Sequence, residues 1–233
     1  MTDVRPDVGG WITATADALK LHANQMIGPG LVCWGLTMLF VLPLSMAIGF
    51  GVAIAAILAE QGGGDAPVWI LPVVFVVFGL FFVALMFFNG VLLHGVYRWS
   101  LALLRGEKPS FGAVVPGFGA AMVAGAIPMV QMSLGLLGLP FCLVPTIWIG
   151  LTLALAQVAA ADRGQGIVDA LSTSMELTSG RKLNLFLFQM VLMFVVMLIS
   201  YIPIVGPIAM YPILAMAYAV VYESLTKATA QSA

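Results

Sequence analysis

The side chains able to do chemistry inside this chain are few. Asn89, Gln157 and Gln189 are amides in otherwise apolar stretches, and His22 and His94 are its two imidazoles. An amide within lipid ordinarily bonds to a neighbouring helix, at about 0.6 kcal/mol per contact. The sharper expectation is a polar vestibule built from Asn89, His94, Gln157 and Gln189. The two histidines fall on different segments, and two imidazoles without a carboxylate or thiolate partner make a poor metal site. Each is read as an interfacial histidine, with no metal and no other cofactor expected. Cys33 and Cys142 supply no metal or disulfide framework and are expected near opposite membrane faces, unbonded. No HExxH, CxxC, GxSxG, Walker A or complete GxGxxG pattern occurs, so nothing pairs a nucleophile with a base. Gly117-Phe-Gly119 and Gly164-Gln-Gly166 read as turns. The expectation is a protein that is not an enzyme.

Long apolar elements must hold these residues. Hydrophobic residues make up 62% of the 233 and charged residues 8%, against about 25% charged in a soluble domain. This is the composition of an all-α polytopic membrane bundle. A span needs ~20 apolar residues, and spans are expected over 28–59, 68–97, 119–138, 141–161, 183–203 and 206–224. These make three hairpins in a single membrane domain, 1–233, each preceded by an amphipathic stretch, at 7–26, 105–118 and 162–182. The first and third stretches share Asp-Ala-Leu, at 17–19 and 169–171, which suggests a repeated architecture. Turns are expected over 60–67, at Gly138-Leu-Pro140 and over 203–207. Pro43 and Pro128 should kink their spans. Ala47, Gly51, Ala55 and Ala59 form a small-residue stripe that permits close helix approach, and Thr146, Gly150 and Ala154 form a second. Trp11 is placed at headgroup level.

The longest polar interval, 162–182, reads as a membrane-surface helix beginning near Ile167. Ile167, Leu171, Met175 and Thr178 follow one face. Asp169, Thr173 and Glu176 fall on the other and form a candidate partner-docking face. With six spans, all nine lysines and arginines share one side with both termini. The positive-inside rule makes that side the cytoplasm. Net charge is -1, so no basic field invites nucleic acid. No span holds a mid-depth ionisable group of the kind that coupled transport needs.

The segments Arg105-Gly-Glu107-Lys-Pro109-Ser-Phe111, Asp169-Ala-Leu171-Ser-Thr-Ser174 and Leu177-Thr-Ser-Gly180 resemble motifs of bacterial six-helix inner-membrane proteins related to the membrane domain of glycerophosphoryl diester phosphodiesterases. The resemblance implies a six-helix fold in the cytoplasmic membrane and no catalytic residue, since the family's hydrolase activity belongs to a separate soluble domain. Two functions are expected in turn. The first is a non-enzymatic membrane scaffold or partner-binding subunit, with membrane lipid around it, a protein partner on the cytoplasmic face and room for self-association as an oligomer. The alternative is an uncoupled carrier for a small or lipid-like substrate.

Overall fold

A computed structural model describes residues 6–61, 70–109, 112, 114–138 and 143–232. The turn residues 62–67 and 139–140, together with Ser110, Phe111 and Cys142, lie outside the described residues. The described chain is helical: α1 (Val8–Gln61), α2 (Ile70–Leu104), α3 (Phe118–Gly138), α4 (Leu143–Leu153), α5 (Ala156–Arg163), α6 (Ile167–Thr178), α7 (Lys182–Ser200) and α8 (Val205–Ser232). Among the described residues, six helical stretches are long and apolar enough to cross a membrane, with α4 and α5 together forming one of them. Their outward faces carry exposed apolar side chains such as Leu39, Phe75, Met190 and Phe194, a surface suited to lipid or to another apolar face.

The segments expected separately over 7–26 and 28–59 form one helix, α1, of 54 residues. Asp7 caps its start, accepting from the Gly10 N–H at 2.6 Å. Gly28-Pro29-Gly30 does not break it. Pro29 forfeits one backbone bond, but Gly30 lets α1 press onto α8, where an added Cβ would stand 2.9 Å from the Pro212 ring and overlap the Ile208 carbonyl. The polar start is no loose surface helix either. Trp11, expected among headgroups, is fully buried. Its indole N–H donates to the Ser224 hydroxyl at 2.7 Å, and its ring meets Phe188 edge-on at 5.7 Å. For the same reason α2 runs past residue 97 and α8 past residue 224, since Trp99, Leu101, Leu103 and Leu225 are buried there.

Close helix approach occurs at different glycines from those anticipated. Gly51 has nothing within 4 Å of its missing Cβ, and the side chains of Ala47, Ala55 and Ala59 are outside the described set. The α2–α3 crossing lies at Gly90 and Gly125. A Cβ on Gly90 would sit 2.7 Å from the Pro128 ring, and one on Gly125 would enter the Phe87 ring. Of the second stripe, Thr146 reaches α3, its hydroxyl donating to the Gly135 carbonyl at 3.0 Å.

The span expected over 141–161 is interrupted between α4 and α5, at Ala154 and Leu155. The interruption frees backbone groups, which α6 takes up. The Ser174 hydroxyl accepts from the Leu155 N–H at 3.2 Å and donates to the Thr152 carbonyl at 2.8 Å. Thr178 stands 3.3 Å from the same carbonyl. Later residues of α6 meet earlier residues of the span, so α6 folds back antiparallel along it. Ser174, Thr178, Ala170 and Leu177 form the buried face, whereas Met175, expected inward, is 48% exposed. The inward face is chosen by hydroxyls that satisfy a broken helix, not by apolarity alone. Ser174→Ala strands the Leu155 N–H, so a loss of about 1–3 kcal/mol is expected, with the exposed Ser172→Ala neutral. Equal melting of the two variants in one detergent would discard this clasp.

A cationic cleft framed by an arginine–carboxylate tie

Three helices meet at Arg105, just beyond α2. One guanidinium nitrogen lies 2.6 Å from Asp162 at the end of α5, and another 2.6 Å from Glu223 on α8. The Arg105 Nε also donates to Glu223 at 2.7 Å. Asp162 further accepts from the Tyr222 hydroxyl at 3.0 Å. The hydrogen bond to Asp162 pushes the Arg105 guanidinium further above its already high ordinary value, burial opposes this, and Glu223 adds to it. The cation is therefore permanent, and it ties α2, α5 and α8 at the end of the bundle where Trp11 also bonds to Ser224.

The chain turns sharply behind Asp162. Arg163 closes α5 where the helix dipole favours a cation, and Gly164 adopts φ 61°, its N–H donating to the Ala160 carbonyl at 3.0 Å. That left-handed residue throws the chain over into α6. Between this turn, the last turns of α2 and the first turn of α3 lies an open cleft of about 510 Å³, lined among others by His94, Arg98, Gly119, Ala120, Asp162 and Arg163. His94 and Arg98 are four residues apart on α2 and so share a face. Arg98 and Arg163 make no ion pair among the described residues. A second hollow of about 590 Å³, mostly apolar, lies between α4 and α7. At its mouth the Lys182 ammonium sits 4.2 Å from the Trp148 ring centre.

Of the four vestibule residues, His94 lines the cleft, with 3% of its surface exposed. Asn89 bonds between helices: its carbonyl oxygen accepts from the Tyr211 hydroxyl, and its NH₂ donates to the Leu85 carbonyl at 3.1 Å. Thr37 of α1 stands 3.1 Å from the same tyrosine oxygen, so one polar cluster pins α1, α2 and α8. Gln157 reaches the Ala124 carbonyl of α3 at 3.4 Å, and Gln189 is half-buried on α7. On α6, Asp169 and Glu176 are exposed, while Thr173 donates to the Gln165 side chain at 3.2 Å. Reading the sequence alone missed Arg98, Arg105, Asp162 and Glu223 as a group. Their only local signal is a charge at the end of each long apolar run. No protein-family model matches the chain, and neither a curated protein nor a solved structure matches it.

Proposed function

We propose that this chain is a non-enzymatic scaffold of the bacterial cytoplasmic membrane, presenting a docking helix to a protein partner. The bundle stands as three hairpins, with both termini, the 105–117 loop and α6 on the cytoplasmic side. The observation that carries the reading is the clasp on α6. Ser174 and Thr178 are spent inward on the broken span, while Asp169 and Glu176 stay exposed. A helix fixed along one side and acidic along the other is a preorganised binding surface, and preorganisation lowers the ordering cost of association. The polar groups within the spans are largely tied between helices, which suits a framework more than a moving carrier.

The test has two parts. On intact cells, an impermeant amine reagent should leave Lys20, Lys108, Lys182 and Lys227 unlabelled, because all four face the cytoplasm; labelling of Lys108 would reverse the orientation. In crosslinked native membranes, the wild type should be held in a complex of fixed mass that D169K/E176K loses without a change in thermal midpoint. Recovery of the chain by itself from wild-type membranes overturns the scaffold reading.

A further inference from the structure

The cleft beside the arginine tie carries an inference independent of the scaffold reading. We propose that it binds a phosphate-bearing anion, a phosphate mono- or diester, between α2, α3 and the turn after α5. Donors converge on it from three directions. Arg98 on α2 and Arg163 at the end of α5 both line it. An arginine fork matches phosphate oxygens in pairs; neither guanidinium is held by a carboxylate among the described residues, and Arg163, which also bonds to the Tyr222 hydroxyl, keeps further N–H groups to offer. The first turn of α3 supplies the third direction. Its first helical bond runs from the Ala121 N–H to the Gly117 carbonyl, so the N–H groups of Gly119 and Ala120 lack intrahelical acceptors. Gly119 has open space where a Cβ would be, so an anion can approach the backbone closely.

His94 is the independent observation that points to a ligand. It lines the same cleft at 3% exposure, and its buried Nδ1 has no hydrogen-bond partner among the described residues. A buried polar atom left bare is uncommon. The Nδ1 is sealed from solvent, so a phosphate oxygen in the cleft accepts from its N–H once the His94 ring turns toward the cleft. Asp162 is the one carboxylate among the lining residues, and both its oxygens are engaged, by Arg105 and by the Tyr222 hydroxyl. Glu107 shares a neighbouring hollow with Arg98 and stays outside this cleft. The volume of about 510 Å³ lies within the ~300–1,000 Å³ of small-molecule sites, so an ester group larger than phosphate also fits. A lipid headgroup and a soluble phosphate ester offer the same oxygens.

The experiment uses the full chain in phosphatidylcholine nanodiscs, with and without phosphatidic acid, and reads lipid retention by native mass spectrometry alongside the thermal midpoint. Glycerol phosphate and inorganic phosphate are titrated in the phosphatidic-acid-free discs. The wild type should gain midpoint from a phosphate probe, and R98Q and R163Q, both at exposed side chains, should each weaken that response about tenfold. Lys182→Gln, at the other hollow, should respond as wild type. A response to phosphatidic acid alone assigns the lipid source, and a response to glycerol phosphate or inorganic phosphate assigns the soluble one. If no phosphate probe moves the wild-type midpoint, or if R98Q and R163Q respond as wild type does, the proposal is overturned.

Discussion

Gly95→Ala is expected to unseat the loop joining α2 to α3. An added Cβ would lie 2.6 Å from the Val114 carbonyl carbon and 2.9 Å from its Cα, and would overlap the carbonyl oxygen. Those are backbone atoms, so no side-chain rotation relieves the contact. Val114 is itself buried with Trp99, Leu103, Ala18 and Met216, so moving it disturbs the packing of α1, α2 and α8 together. Overpacking of this kind costs about 1–3 kcal/mol, sometimes more. Alanine recovers ~1 kcal/mol of helix propensity, so the net effect is a loss of up to about 2 kcal/mol, together with faster proteolysis around Val114. Gly51→Ala is the matched control, because it gains the same propensity in open space and should be neutral or stabilising. Identical melting and cleavage of the two variants would show that the contact does not hold the loop.

Arg105→Met should be the costliest single change at the polar end. It strands Asp162 and Glu223, whose side chains are only 12% and 19% exposed, while Arg105 itself is 41% exposed. Fully exposed pairs contribute ~0.2–1 kcal/mol, and breaking a buried one costs ~3–5. A partly screened network lies between, at about 2 kcal/mol. The loss is attributed to stranded charge, so R105M/D162N/E223Q should recover most of the stability that Arg105→Met removes. A triple variant as unstable as the single one would refute that cause.

The long apolar elements were legible because length and lack of charge are local properties. The apolar stretches over 119–138 and 183–203 are helical as α3 and α7 within a few residues, and α6 starts at Ile167, where its apolar face begins. What escaped was set by tertiary contact. Gly51 and Gly90 are equivalent as letters, and only the neighbour decides which one is a crossing point. The interruption at Ala154–Leu155 has no proline or glycine to announce it. It persists because Ser174, nineteen residues on, meets the freed groups. The Arg105 partners lie further off still, at 162 and 223, so a charge that looked like a membrane-edge marker proved to be a tie between three helices. Of the four vestibule residues, His94 lines the cleft of about 510 Å³, while Asn89 and Gln157 bond between helices.

At 1.5 Å per residue, α1 measures about 81 Å, well over twice the ~30 Å hydrocarbon thickness. It is held at Trp11 and crosses α8 at Gly30, beside Pro29, where a missing N–H removes one rung of the helix. Further along, Thr37 and Phe40 fasten it again, against Tyr211 and Phe88. From Phe40 about 31 Å of helix still runs to Gln61, so the far part of the rod is long enough by itself to match the hydrocarbon thickness, while the near part serves to moor it.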